Sequence, residues 1–345
     1  MAKPENIVFI HGGAIGDLVQ ALPAMAAVRA AWPQAAVTLI GRPERAALAV
    51  LAGAAETIVD LETCGLWRRM GEAAREAPAL PVLGGAGLVV DLFTKGRLAA
   101  RAAKRTANGE ISPPAPAAPG LGRDDRGVVS VDPLPPEGWD RSAATWILNQ
   151  VRESLRLSAP CETPVIRLPQ AAEEAARLLL ASRGVLAGFV AIHPGSGSTA
   201  KNWPADRFEA VARRIRSEAE RRVVWLAGPA EQERGTLPHG ASGEAVLADL
   251  TLVEVAGVLA LADAYLGNDS GITQMAAAVR RPDGRATPTV AVFGPTDPKV
   301  WAPRGEHVRV IAAADGTMEG IGVETAWKAV RAVLARQPAP HGNGG

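Results

Sequence analysis

Short apolar runs alternate along the chain with longer segments in which apolar residues recur at helical spacing. In the first half the runs NIVFI, AAVTLIG, ETIVDL and GLVVDL predict strands, and segments such as LVQALPAMAAVRAAW, PERAALAVLAG and WRRMGEAAREA predict helices between them. The second half repeats the alternation with FVAI, VVWLAG, LADAYLG and TVAVFG. Alternating strands and helices predict parallel sheets covered on both faces. The fold class predicted from this pattern is α/β, with two Rossmann-like domains.

The same pattern divides the chain. A proline- and glycine-rich stretch, residues 106–140, interrupts the alternation and predicts a loop. Residues 1–165 are predicted as the first domain and residues 166–322 as the second, which agrees with the usual domain length of roughly 150 residues. Residues 323–336, VETAWKAVRAVLAR, predict a terminal helix that packs back towards the first domain, and residues 337–345 predict a disordered tail.

The turn HPGSGSTAKNW follows the apolar strand FVAI and precedes the amphipathic segment ADRFEAVARRI. A glycine- and serine-rich turn between strand and helix presents backbone amides and hydroxyls to an anion, here at Ser196, Gly197 and Ser198. Lys201 adds a positive charge that suits a phosphate group. The alternative is an ordinary turn with a surface lysine.

A second turn of this kind follows the strand DAYLG. Asn268, Asp269, Ser270 and Gly271 make the turn, and the helix ITQMAAAV begins beside it with free amides in its first turn. Asp269 or Ser270 could equally serve as an ordinary N-cap. The next strand, TVAVFG, ends in Pro-Thr-Asp. Three successive strands therefore end in small or polar turns, and in open α/β sheets these carboxyl ends bind ligands.

The amino terminus repeats the arrangement in the turn HGGAIGD after the strand NIVFI. Gly12, Gly13 and Gly16 permit a sharp turn, although their spacing is not that of a dinucleotide-binding fingerprint. Asp17 falls in the first helical turn, where a carboxylate is electrostatically favoured. The functional alternative is a general base at the mouth of a cleft.

These segments resemble the ADP-heptose:lipopolysaccharide heptosyltransferases of glycosyltransferase family 9. The resemblance rests on IHGGAIGDLVQALPAMAAVRAAWP, HPGSGSTAKNWPADRF and LGNDSGITQMAAAV followed by VAVFGPTDPKVWAPRG, in this order and at similar spacing. It covers residues 5–50 and 189–305 well. It implies the two-domain GT-B fold, in which parallel sheets face a cleft, the first domain binds the acceptor and the second binds the nucleotide sugar.

The resemblance also implies roles for individual residues. Asp17 matches the family's general base, and Lys201 matches the lysine that meets the donor phosphate. Glu231 resembles an acidic residue near the ribose, although a glutamate at a helix amino terminus is an equal alternative. Trp203 and Leu250 either pack near the nucleobase or belong to the core. The further residues implied to bind the donor are Ser196, Gly197, Ser198, Asp269, Ser270, Gly271, Ile272, Thr273 and Gln274.

The reaction implied is inverting, metal-independent transfer of heptose from ADP-heptose to an anionic acceptor of the lipopolysaccharide-core type, without a cofactor. The chain holds no Asp-x-Asp triplet, so Lys201 and backbone dipoles are expected to stabilise the diphosphate. The residues predicted to bind the acceptor are Gly13, Arg68, Arg69 and Lys95. The basic segment KGRLAARAAKR, which begins at Lys95, either approaches the anionic inner membrane or is a solvated helix face.

Composition narrows the class of protein. The net charge of +1 argues against a nucleic-acid-binding protein, for which a strongly basic domain is expected. Cys64 and Cys161 predict neither a disulfide framework nor a zinc site. The amino terminus lacks the apolar core of a signal peptide, and no stretch approaches about 18 uncharged apolar residues. A cytoplasmic protein is therefore expected.

One departure from the family pattern keeps other functions open. Many members have His where this chain has Gln274, and glutamine offers hydrogen bonds without a positive charge. One alternative is a two-domain transferase that uses another nucleotide sugar or a protein acceptor. The other is a non-catalytic nucleotide-binding homologue, against which the presence of Asp17 and Lys201 argues.

Overall fold

A computed structural model describes residues 3–66, 81–93, 127–158, 163–186, 188–235 and 244–336. Contacts between residues divide the chain into two units, Met1–Pro164 and Val165–Gly345. This boundary lies one residue before the one predicted from the sequence.

The first domain is a five-stranded sheet in the order β3-β2-β1-β4-β5, and all its strand pairs are parallel. The first helix, α1, packs against α2 and against α4, the last described helix of the domain, and its residues from Leu18 to Val28 are buried except Ala26. The elements are β1 (Asn6–His11), α1 (Ile15–Ala31), β2 (Ala36–Gly41), α2 (Pro43–Leu51), β3 (Thr57–Asp60), α3 (Pro81–Gly84), β4 (Leu88–Asp91), β5 (Val128–Ser130) and α4 (Ala143–Leu155).

The second domain is a six-stranded sheet in the order β11-β10-β9-β6-β7-β8, again with every pair parallel. A short 3-10 turn, Thr199–Lys201, follows its first strand. The elements are α5 (Gln170–Ser182), β6 (Phe189–His193), α6 (Ala205–Glu218), β7 (Arg222–Leu226), α7 (Pro229–Glu233), β8 (Ala245–Leu247), α8 (Leu252–Leu261), β9 (Ala264–Asn268), α9 (Gly271–Ala278), β10 (Thr289–Phe293), α10 (Pro298–Trp301), β11 (Val308–Ala312) and α11 (Val323–Leu334).

The terminal helix α11 belongs to the second domain. It packs on α6 and on β9, β10 and β11, and its apolar face, which includes Trp327 and Val330, lies in the same core cluster as Trp203 and Trp225. Its strongly one-sided apolar face is buried by the adjacent sheet of its own domain. The expectation that this helix packs back towards the first domain stays a prediction.

The alternation of apolar runs predicts eight of the strands, and three others were not expected. β5 and β8 are only three residues long, and β5 lies in the stretch interpreted as a loop. Among the described strands β11 pairs only with β10, and most of its residues are exposed or half-buried. Its sequence VRVIA accordingly carries no long apolar run. The helix predicted from WRRMGEAAREA lies outside the described residues. Within the ranges given above, no helix is both long and apolar enough to cross a membrane.

Candidate functional site

The strand order of the second sheet places its turns. β6 and β9 are neighbours at the centre, and the chain leaves them towards opposite edges, because β7 pairs beside β6 and β10 pairs beside β9. Such a switch point leaves a crevice beyond the carboxyl ends of the two central strands. The turns after β6, β9 and β10, singled out from the sequence, therefore meet at one edge of the sheet.

One side chain from each of these three turns joins a single cluster. Nζ of Lys201 lies 2.7 Å from Oδ2 of Asp269, and the hydroxyl of Thr296 donates to the same oxygen at 2.6 Å. The lysine side chain is 32% exposed and the aspartate side chain 9%. The ion pair therefore holds the ammonium group at the carboxyl edge of the sheet, and about a third of the lysine side chain remains exposed to solvent.

Asn268, the last residue of β9, fastens the turn after β6 to the sheet. Its side-chain amide donates to the carbonyl of Pro194 at 2.6 Å, and its side-chain oxygen accepts the amide of Trp203 at 3.0 Å. The indole of Trp203 is 1% exposed and donates to the carbonyl of Ile321 at 2.9 Å. Trp203 thus belongs to the core, as one of the two interpretations of its sequence position held, and the alternative placed it near the nucleobase. Leu250 is half-buried, and its proximity to a nucleobase stays a prediction.

The hydroxyl of Ser196 is used inside its own turn. Its oxygen lies 2.6 Å from the carbonyl of Ser198 and 2.6 Å from Oδ1 of Asn202, and it accepts the amide of Ser198 at 3.2 Å. These contacts give the turn a defined shape with Gly197 and Ser198 exposed. Binding of a diphosphate by Ser196, Gly197 and Ser198 stays a prediction.

The buried carboxylate of Glu231 packs against this turn. Oε2 of Glu231 accepts the amide of Gly228 at 2.8 Å and lies 3.6 Å from Nε2 of His193; the two side chains are 5% and 7% exposed. Burial alone would raise the pKa of Glu231, but the contact with His193 and the hydrogen bond from the amide of Gly228 outweigh it and hold this pKa below its usual value. A Cβ at Gly195 would lie 1.8 Å from Oε1 of Glu231, so this position requires glycine. Contact of Glu231 with a ribose stays a prediction.

The helix α9 begins at the same edge. Ser270 caps it by accepting the amide of Thr273 at 3.3 Å, so the N-cap role proposed for Ser270 is confirmed. The hydroxyl of Thr273 is buried and lies 2.9 Å from that of Tyr265, where it cannot reach a ligand outside the domain. Gly271 and Ile272 are half-exposed, and their amides belong to the first helical turn, which has no partners within the helix. These amides are the groups that the helix offers to an anion.

Gln274 points its side-chain nitrogen at the backbone. Nε2 donates to the carbonyl of Trp301 at 2.5 Å, and the residue is 7% exposed. The side chain thus ties α9 to the end of α10. This bond uses one of the two N–H donors of the nitrogen, and binding of a donor phosphate by Gln274 stays a prediction.

In the first domain the strand order also switches, between β1 and β4. Asp17, the third residue of α1, is exposed, and its Oδ2 accepts the amide of Ala14 at 2.9 Å. A Cβ at Gly13 would lie 2.8 Å from this oxygen, so glycine leaves the carboxylate room beside the turn. The helix-start role of Asp17 is confirmed, and its exposure leaves it accessible to a substrate proton.

Two residues that the sequence analysis did not single out lie beside the glycine turn that precedes Asp17. Arg45, on α2, donates to the carbonyl of Gly13 at 2.8 Å. His11, the last residue of β1, is buried. Burial first, and then the charge of Arg45, lower the pKa of His11 to about 4, while a backbone contact at Asp17 opposes the shift. His11 is therefore a neutral part of the domain core near pH 7.

The remaining predicted acceptor residues, Arg68, Arg69 and Lys95, lie outside the described residues, as does the basic segment after Lys95. In the described ranges no group of three His, Cys, Asp or Glu side chains is arranged to hold a metal ion. Sequence reasoning did not single out Thr296, Arg45 or Arg234, the last of which donates to the carbonyls of Ser196 and Gly197. Thr296 alone had a signal, because it follows one of the three turn-ending strands.

Two parallel α/β domains, each with a glycine-rich turn at the switch point of its sheet, form the GT-B fold. The family model described as glycosyltransferase family 9 (heptosyltransferase) matches residues 149–328. The chain belongs to glycosyltransferase family 9.

Individual relatives agree with this assignment. Lipopolysaccharide heptosyltransferase 1 of Pseudomonas aeruginosa is 33% identical over 108 residues, which are 30% of this chain and 28% of that protein. The crystal structure of the family 9 glycosyl transferase from Veillonella parvula DSM 2008 matches with a TM-score of 0.73 at 18% identity, over 96% of this chain and 98% of that one. The E. coli ADP-heptose lps heptosyltransferase II matches with a TM-score of 0.67 at 18% identity, over 97% and 100%.

Proposed function

We propose that the protein transfers heptose from ADP-heptose to an anionic acceptor of the lipopolysaccharide-core type, with inversion and without a metal ion. The observation that carries the proposal is the cluster of Lys201, Asp269 and Thr296 beside the start of α9. A partly exposed ammonium group and free helix amides together suit a diphosphate leaving group. The relatives named above as heptosyltransferases, one of them by its donor ADP-heptose, support heptose as the sugar and ADP-heptose as the donor.

The chemistry divides between the two domains. As the bond to the sugar breaks, negative charge develops on the departing diphosphate, and Lys201 with the amides of Gly197, Gly271 and Ile272 would balance that charge. Asp17 would take the proton from the acceptor hydroxyl, which then attacks the sugar directly. A single direct displacement inverts the anomeric carbon.

Acceptor binding is proposed for the first domain. Gly13 lies beside Asp17, so an acceptor hydroxyl near the carboxylate would also lie against this turn. Arg68, Arg69 and Lys95 would meet the anionic groups of the acceptor, and the basic segment after Lys95 would favour contact with an anionic membrane surface.

A panel of donors tests this function. We expect wild type to consume ADP-heptose in the presence of a heptose-free glycolipid acceptor and to release ADP, and to leave UDP-sugars intact. Lys201→Ala should weaken ADP binding about tenfold or more by calorimetry and slow transfer, because the diphosphate loses its charged partner. Lys201→Arg should recover part of both losses, since charge is kept and geometry is not.

Lys328→Ala is the matched control, because Lys328 is a 73% exposed lysine on α11 of the same domain. It should bind ADP and transfer heptose as wild type does. Consumption of a UDP-sugar in place of ADP-heptose would contradict the proposed donor. Unchanged ADP affinity and rate in Lys201→Ala would contradict the proposed diphosphate site.

A further inference from the structure

We propose that Arg234 is a positioning residue, which holds the turn after β6 so that the amide of Gly197 faces the donor diphosphate. The proposal rests on the proposed function of this turn. It concerns a residue that would act through the backbone of the turn rather than by touching the reacting atoms.

Arg234 binds two consecutive carbonyl groups of the turn. Its Nη1 donates to the carbonyl of Ser196 at 3.1 Å, and its Nη2 donates to the carbonyl of Gly197 at 3.3 Å. A guanidinium group suits this arrangement because its donors lie in one plane at a fixed angle. The two bonds together fix the orientation of two successive peptide planes.

Fixing the carbonyls fixes the amides. In a planar trans peptide the carbonyl and the following N–H point in opposite directions, so the Gly197 amide points away from the guanidinium that binds the Ser196 carbonyl. The amide of Ser198 is already used by the Ser196 hydroxyl. Gly197 is exposed, so its amide is the one that Arg234 leaves available on the opposite side of the turn.

The segment that carries Arg234 is itself anchored to the domain. Glu231, three residues before it, is buried under Gly195 and bonded to the amide of Gly228. Gln232 donates to Oδ1 of Asp249 at 2.6 Å, on the loop that follows β8. Contacts of Glu231 and Gln232 therefore hold the backbone that carries Arg234 in place beside the turn.

Arg234 could instead attract the diphosphate by its charge alone, and a lysine separates the two roles. Lysine keeps the positive charge but has no planar pair of donors for two carbonyls. If Arg234 positions the turn, Arg234→Lys should behave nearly as Arg234→Ala does. If charge alone matters, lysine should restore binding.

The first measurement is calorimetry of ADP and adenosine with wild type, Arg234→Ala and Arg234→Lys. We expect ADP affinity to fall about tenfold in both variants, the size of effect given by loss of one hydrogen bond to a charged group. Adenosine affinity should stay the same, because adenosine lacks the diphosphate, and the unfolding temperature should not change. Arg213→Ala is the matched control, since Arg213 is an exposed arginine of α6.

The second measurement is hydrogen exchange of residues 193–203 in the ligand-free protein. Both Arg234 variants should exchange faster there than wild type and the Arg213 control, because the turn loses its anchors. Wild-type ADP affinity or unchanged exchange in Arg234→Ala would overturn the proposal, and so would full recovery in Arg234→Lys. Failure of wild type to bind ADP would instead contradict the proposed function, and the role of Arg234 would fall with it.

Discussion

At the scale of single residues, the charge of Lys201 is already compensated before any donor binds. Asp269 is almost buried, and with Thr296 it holds the ammonium group in one place. An ordered lysine loses less side-chain entropy when it meets a phosphate than a free one would. Asp269 is therefore better understood as the partner that places Lys201 than as a group that meets the diphosphate directly, since two anions would repel each other.

His11 gives the first domain a pH dependence of known sign. Its pKa in the folded protein is about 4, whereas an unfolded histidine titrates near about 6.5. The unfolded chain therefore binds a proton at a higher pH than the folded one. The contribution of His11 to stability is fully present above about pH 6.5 and is lost as the pH falls towards 4.

We expect His11→Gln to remove this dependence. Between pH 7 and pH 4 the free energy of opening of the first domain should fall by about 3 kcal/mol more in wild type than in the variant. Hydrogen exchange of β1 amides, corrected for the intrinsic effect of pH, measures this free energy. Parallel pH profiles for the two proteins would show that His11 is not a buried neutral group.

At this scale the sequence identifies those functional residues that lie within a recognisable local pattern. Asp17, Lys201 and Ser270 stand beside glycine turns and helix starts, which local patterns reveal. Thr296, Arg45 and Arg234 act through partners 27, 32 and 38 residues away. Such contacts depend on the packing of whole elements, which single-sequence patterns do not specify.

At the scale of elements, α7 can pack closely on the turn after β6 because Gly195 in that turn has no side chain. Glu231 fills the space that a Cβ at Gly195 would take. Space, rather than backbone conformation, therefore requires glycine there. The contact joins the carboxyl ends of β6 and β7 and gives the turn its rigid support.

We expect Gly195→Ala to lower the free energy of unfolding by about 1–3 kcal/mol, because its methyl group overlaps the carboxylate. The same change in a Glu231→Ala background should cost at least about 1 kcal/mol less, since the space is then free. Urea denaturation of the four proteins completes the cycle. Gly197→Ala is the control, because a Cβ there meets nothing within 4 Å, and additive effects of the two changes would contradict the contact.

The order of elements was largely predictable, and the arrangement of strand ends followed from it. Parallel strands place their carboxyl ends at one edge, so the turns after β6, β9 and β10 could be expected to meet. The packing of α11 could not, because an amphipathic helix shows which face is buried but not which domain buries it. The short strands β5 and β8 are defined by pairing with neighbours rather than by their own residues.

At the scale of the whole molecule, the proposed reaction uses both domains. In it the second domain would bind the diphosphate, and the first would supply Asp17, whose carboxylate is exposed at the start of α1. Loss of Asp17 should therefore slow transfer while donor binding is kept, whereas loss of Lys201 should weaken both.

The most direct test is a mass-spectrometric transfer assay with intact ADP-heptose and a glycolipid acceptor, comparing wild type with Asp17→Asn in the presence of EDTA. We expect wild type to remain active in EDTA and Asp17→Asn to bind ADP normally but transfer heptose about 10²- to 10⁴-fold more slowly, because it lacks the base. If Asp17→Asn retained more than about a tenth of wild-type turnover with chemistry limiting, or if wild type lost all activity in EDTA and regained it with a divalent ion, the account would be contradicted.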